Sequence, residues 1–168
     1  MIIEKITQKK VLRDFFFIEG MVKINQKYFI QKIKEGCNDP NNLSFKTNIH
    51  DQMTDWKYFN EDSEFLKLAN KFKDLVDNKT KRPGHVLEDA WGFCVNSGGY
   101  TKFHSHSCSA WSGVIYINDH TQTLDFLDIR RKVKPVKGRF ILFSSFLDHG
   151  CKVHTKPEPK YGISFNYV

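Results

Sequence analysis

The chain has 168 residues, 40% of them hydrophobic, with 15 phenylalanines and a formal net charge of +7. That is enough apolar material for one core without disulfides, and it excludes an intrinsically disordered chain. No stretch approaches the roughly 20 apolar residues of a membrane span, the start Met1-Ile2-Ile3-Glu4-Lys5 lacks a signal-peptide core, and Cys37, Cys94, Cys108 and Cys151 form no CxxC pair, so a soluble protein of a reducing, cytoplasmic compartment is expected.

Residues 1–22 read as one or two strands, with Phe15-Phe16-Phe17-Ile18 closed by Gly20, and 24–35 as a helix stopped by Gly36 and Asp39-Pro40. A polar, turn-rich stretch runs to Thr54. Asp62 caps a second helix whose Phe65, Leu68, Ala69, Phe72, Leu75 and Val76 share one face, and Lys81-Arg82-Pro83-Gly84 ends it. Beyond residue 88 the period shortens to two. Trp91, Phe93 and Val95 alternate with small residues, Asn96-Ser97-Gly98-Gly99 turns the chain, and 111–118, 124–129, 139–143 and 161–167 are short β-branched or aromatic runs between turn residues. A helical support region (1–88) and an all-β region (89–168), with no linker or repeat between them, predict one α+β domain, mainly β, over 1–168. Its sheet curls into a barrel or jelly roll with the N-terminal helices packed on it. The basic run Arg130 to Arg139 reads as a solvated loop, because it lacks the interleaved aromatics of a single-strand nucleic-acid platform.

Within the β region, His104-Ser105-His106 carries the chemistry. Histidines at i and i+2 of a strand project to the same face and reach one metal ion. His149, 43 residues beyond His106, closes a facial three-ligand set. His50, His85, His120 and His154 have no comparable context and read as surface residues. Lys160 opens the strand-like segment Lys160 to Asn166 and offers a cation to an acidic co-substrate. Strand parity places Lys160, Gly162, Ser164 and Asn166 on one face, with Tyr161, Ile163, Phe165 and Tyr167 on the other. A polar row facing a pocket fits this pattern, and so does a half-exposed strand with Lys160 in solvent.

The run from Trp91 to Asn166 resembles the 2-oxoglutarate/Fe(II) oxygenases of phages and marine bacteria, relatives of the prolyl hydroxylases. The pieces VNSGGYTKFHSHSCSAWSGVIYIN, LDFLDIR, GRFILFSSFLDHG and KYGISFN stand in that family's order and spacing, and residues 51–56 resemble a segment ahead of its helical region. The resemblance implies a double-stranded β-helix of cupin-like, jelly-roll form. It also implies a dioxygenase that consumes O2, decarboxylates 2-oxoglutarate to succinate and CO2, and hydroxylates an unidentified small molecule or protein side chain. In that family's terms His104 and His149 are iron ligands. Lys160 is the basic residue that pairs with the far carboxylate of 2-oxoglutarate, with Tyr116 and Ser164 hydrogen-bonding there. Asn96 and Asn166 belong to the substrate-side wall. One position departs: where the wider family has Asp or Glu two residues after the first histidine, this chain has His106. Either His106 ligates in the carboxylate's place, which the i, i+2 spacing favours, or Asp148 or a water completes the set. A three-histidine metalloprotein that ignores 2-oxoglutarate, holding Fe, Mn or Zn, is the alternative reading, followed by a non-catalytic binding module. Loops 37–60 and 78–90 are expected to face the substrate. Neither nucleic acid nor membrane is expected as a partner, and the setting is cytoplasmic, the host's cytoplasm for a phage-encoded chain.

Overall fold

The computed structural model describes residues 14–42 and 48–168; residues 1–13 of the 1–22 stretch expected to form one or two strands, and 43–47 of the turn-rich stretch, lie outside the described residues. The elements are β1 (Phe17–Met21), α1 (Gln26–Cys37), β2 (Ile49–His50), β3 (Gln52–Met53), α2 (Ser63–Thr80), β4 (Leu87–Val95), β5 (Tyr100–His104), β6 (Trp111–Tyr116), β7 (Leu124–Phe126), β8 (Arg131–Val133), β9 (Arg139–Ser144), β10 (His149–Cys151) and β11 (Lys160–Tyr167). They form a six-stranded sheet in the order β1-β9-β6-β11-β4-β3 and a five-stranded sheet in the order β2-β5-β10-β7-β8. Every ladder is antiparallel. The front of the chain therefore supplies strands as well as helices, and part of the basic run forms the edge strand β8.

Side-chain alternation divides the six-stranded sheet between two cores. Ala90 and Cys94 of β4, Trp111 and Ile115 of β6, Phe140 and Leu142 of β9, and Tyr161, Ile163, Phe165 and Tyr167 of β11 pack against Phe29 and Ile33 of α1 and Phe65, Ala69, Phe72 and Val76 of α2. The alternate residues Trp91, Phe93, Val95, Val114, Tyr116, Ile141 and Phe143 face Leu124, Phe126, Val133 and Cys151 of the second sheet. A strand covered on both faces reads as almost continuously apolar. β11 breaks that rule on one face only, where Lys160, Ser164 and Asn166 line a cavity between the sheets.

The helices are held by their caps. Asp62 accepts from the Phe65 N–H at 2.8 Å, and its other oxygen receives the Tyr28 hydroxyl of α1 at 2.6 Å. Gly36, expected to stop α1, lies inside it. A Cβ there would meet Thr54 Cγ2 at 2.7 Å and the Tyr58 ring at 2.8 Å, so the glycine serves close packing, and the helix ends at Cys37. Thr54 in turn ties the 51–56 segment to β4 by exchanging hydrogen bonds of 2.9 Å with Gly92. No helix among the described residues is long and apolar enough to cross a membrane.

Candidate metal centre

The register of β5 and β10 sets His104 directly opposite His149. Cross-strand partners on one face have Cβ atoms about 4.5–5.5 Å apart, so the two imidazoles meet without distortion. His106 arrives differently. β5 ends at His104, and the alternation continues one step beyond the strand because the His106 N–H donates to Ser145 O at 2.8 Å.

The ligand nitrogens of His104, His106 and His149 all lie within 4.8 Å of one another, and Nε2 of His104 is 2.9 Å from Nε2 of His106. Each ring is fixed from behind at Nδ1. His104 faces Lys102 O at 2.8 Å, His149 faces Leu147 O at 2.9 Å, and His106 faces Asn166 Oδ1 at 2.7 Å. The Asn166 amide is oriented by its other end, where Nδ2 donates to Asp89 Oδ1 at 2.8 Å. Carbonyl oxygens only accept, so each Nδ1 carries the proton and each Nε2 presents a lone pair. Lone pairs this close repel unless a cation lies between them. Two nitrogens bound at right angles about 2.1 Å from one ion would sit about 3.0 Å apart. Burial keeps the rings neutral: it lowers His104 below its usual pKa, His106 to about 4 and His149 to about 3. Burial has the opposite effect on Asp89, whose carboxyl is pushed up to about 6. Among the described residues the cluster that could hold an ion consists of His104, His106 and His149, and no carboxylate, Asp148 included, joins it.

The same cavity, about 320 Å³, extends to Lys160 and Tyr116. Lys160 is only 2% exposed; its ammonium contacts Cys151 Sγ at 3.4 Å and lies 5.7 Å from the Phe93 ring centroid. No carboxylate pairs with it among the described residues. Tyr116 sits across from Gly162 and is 1% exposed, yet among the described residues its hydroxyl has no hydrogen-bond partner. Burial holds that phenol protonated, well above its ordinary pKa. A buried ammonium and an unmatched hydroxyl in one cavity are costly unless an anion satisfies them. Met53, Trp56, Trp91 and Phe93 form an apolar wall of the cavity, and the Trp91 indole packs on the His106 ring at 6.4 Å between centroids.

His104, His106, His149, Lys160, Tyr116, Ser164 and Asn166 thus line one cavity. Asn96 does not. The turn after β4 carries it outward, where it is exposed and bonds Asp51 through its N–H at 2.5 Å and its amide at 3.1 Å. His120 and His154, expected on the surface, are buried; both donate from Nε2 to Glu158 O, at 3.1 and 2.7 Å, and pin that loop. Of the loops expected to face substrate, 48–56 lines the cavity through Asn48, Ile49, Met53 and Trp56, whereas 78–90 does not reach it. Cys108 lies exposed at the rim, outside the ligand cluster. Ser112, Cys151 and Asp89 were not anticipated. Cys151, two residues beyond His149, and Ser112, in phase with Val114 and Tyr116, carried a parity signal; Asp89 depends on the register Asn166↔Asp89, which no single strand reveals.

No protein-family model matches the sequence. No curated protein matches it either. Solved structures do. A viral collagen prolyl hydroxylase from Paramecium bursaria Chlorella virus-1, in a 2OG complex, is similar with a TM-score of 0.70 and 17% identity, over 91% of this chain and 94% of that one. A Pseudomonas putida prolyl-4-hydroxylase gives 0.67 and 14%, over 90% and 91%. HygX from Streptomyces hygroscopicus, with nickel and 2-oxoglutarate bound, gives 0.58 and 12%, over 91% and 81%. The likeness establishes the fold: a prolyl-hydroxylase-like double-stranded β-helix carrying two N-terminal helices among the described residues.

Proposed function

We propose that this protein is an Fe(II)/2-oxoglutarate-dependent oxygenase acting as one domain, with His104, His106 and His149 as metal ligands. The observation that carries the reading is Lys160: a buried ammonium without a carboxylate partner among the described residues, sharing a cavity with the unmatched Tyr116 hydroxyl and three convergent imidazoles. The donor set fits a divalent first-row ion, and the far end of the cavity fits a carboxylate. Similar folds that hold 2OG, or nickel with 2-oxoglutarate, support it.

Iron held by His104, His106 and His149 would supply the oxidative chemistry, the use of O2 to convert 2-oxoglutarate to succinate and CO2 with hydroxylation of a substrate C–H bond. The chain's own residues bind and orient. Lys160 meets the far carboxylate as a point charge, Tyr116 donates its hydroxyl to the same group, and Ser164 adds a second hydroxyl. Asn166 holds His106 in the tautomer that leaves Nε2 free. Trp56, Trp91 and Met53 close the substrate side with apolar surface and keep water out. The setting proposed for the protein is cytoplasmic, because its four cysteines form no CxxC pair or regular framework.

A three-histidine metalloprotein that uses no 2-oxo acid is favoured by His106 alone. Lys160 separates the two readings. In calorimetry on the Ni(II)-loaded protein, Lys160→Met should weaken 2-oxoglutarate binding by about a hundredfold or more, the loss on removing one partner of a buried charge pair, with metal affinity unchanged. Equal 2-oxoglutarate binding by both proteins, or none by the wild type, would favour the second reading.

A further inference from the structure

The anchor proposed for 2-oxoglutarate has a thiol built into it. Cys151 follows His149 by two residues on β10, is 6% exposed and lines the same cavity as Lys160 and Tyr116. The Lys160 ammonium donates to its Sγ at 3.4 Å. Tyr116 is within its electrostatic reach too: after burial itself, a charge on Cys151 does most to raise that phenol's pKa. Sulfur is a weak acceptor, so the ammonium is poorly matched, and the Tyr116 hydroxyl has no partner at all among the described residues. Both donors are buried, where an unmet hydrogen bond costs most. A ligand carboxylate brings the missing oxygen from outside. One oxygen atom added to Cys151 brings it from within. The other cysteines lack this setting: Cys37 and Cys94 belong to the helical core, and Cys108 stands exposed at the rim.

We infer that Cys151 is a modification site for hydrogen peroxide, and that its sulfenic acid fills the anchor and shuts 2-oxoglutarate out. The sulfur attacks one peroxide oxygen: the O–O bond breaks, an S–O bond forms, and sulfur gives up two electrons to the peroxide. The departing hydroxide takes the thiol proton and leaves as water. The new oxygen accepts from Lys160 and from the Tyr116 hydroxyl, the two groups that otherwise hold the far carboxylate of the co-substrate. Two equivalents of an added thiol reverse the step, releasing a second water and the disulfide of the reductant. The exclusion of 2-oxoglutarate rests on the proposed function; the oxidation of Cys151 stands without it.

The test uses the full chain loaded with Ni(II), treated with hydrogen peroxide and then freed of it. In calorimetry, 2-oxoglutarate binding is expected to weaken roughly tenfold to a hundredfold, the worth of a hydrogen bond to a charged group, and to return after dithiothreitol. Cys151→Ala, which keeps Cys108 and Met53, is expected to show one affinity before and after peroxide. If that variant does not fold, wild-type protein unfolded in dimedone straight after peroxide reports the sulfenic acid by peptide mass, with an adduct expected on Cys151. The inference is overturned by an affinity that peroxide leaves unchanged, by a loss that dithiothreitol does not reverse, by an equal loss in Cys151→Ala, or by the lack of an adduct on Cys151. A protein that binds no 2-oxoglutarate before peroxide refutes the proposed function and the exclusion with it, and the dimedone adduct then decides the oxidation of Cys151 alone.

Discussion

Asn166 serves three partners at once. Its Oδ1 accepts from His106 Nδ1–H and from the Ser112 hydroxyl, both at 2.7 Å, while its Nδ2 donates to Asp89. An ionised Asp89 only accepts, so the amide cannot flip and the imidazole cannot move its proton to Nε2. Asn166→Ala releases that constraint. Metal affinity is expected to fall about 10- to 100-fold, read by competition with a chromophoric chelator. An unaltered affinity would remove Asn166 from the support of the ligand. At this scale the sequence revealed the groups whose chemistry is unusual for their setting: a spaced histidine pair, a distant third histidine, a lysine in an apolar strand. It concealed what supports them. Asp89 and Ser112 are ordinary residues until register sets them beside Asn166. Asn96 was misread for the same reason, because a turn signal does not say which way the turn leaves the sheet.

β11 is the element on which the site depends, with one face in the helical core and the other in the cavity. Its alternation, like that of β4, was legible because a period of two survives in any strand whose faces differ. The short strands β2, β3 and β8 were not, since two or three residues carry no period and form only because a neighbour offers hydrogen bonds. Gly36 shows the converse error: read as a stop, it is a contact. Alanine is the better helix former by about 1 kcal/mol, yet here its methyl would press on Thr54 and Tyr58. Overpacking of this kind costs about 1–3 kcal/mol. Gly36→Ala is therefore expected to lower stability by about 1 kcal/mol net in urea unfolding. A gain in stability would mean that the 54–58 segment yields easily and does not fix the cavity wall.

Across the whole molecule, the two sheets divide the work. The five-stranded sheet brings His104 and His149 together by pairing β5 with β10, and the six-stranded sheet contributes Lys160 and Tyr116 from β11 and β6. A ligand that chelates an ion at one end and carries a carboxylate at the other would bridge them. The helices cover the opposite face of the six-stranded sheet, so both of its faces are buried and the polar row of β11 has nowhere to go but the cavity. The jelly roll itself could be anticipated from short alternating runs and from the family resemblance, but the pairing order of the strands could not, because strands distant in sequence become neighbours through contacts that leave no local pattern. The measurement that tests the account most directly is an anaerobic titration of the metal-free protein with Fe(II) and then 2-oxoglutarate, followed by visible absorption. A weak charge-transfer band that appears only when both are present is expected, because chelation joins the co-substrate to the ion held by the three histidines. Fe(II) that binds without any band, at saturating 2-oxoglutarate, would contradict it.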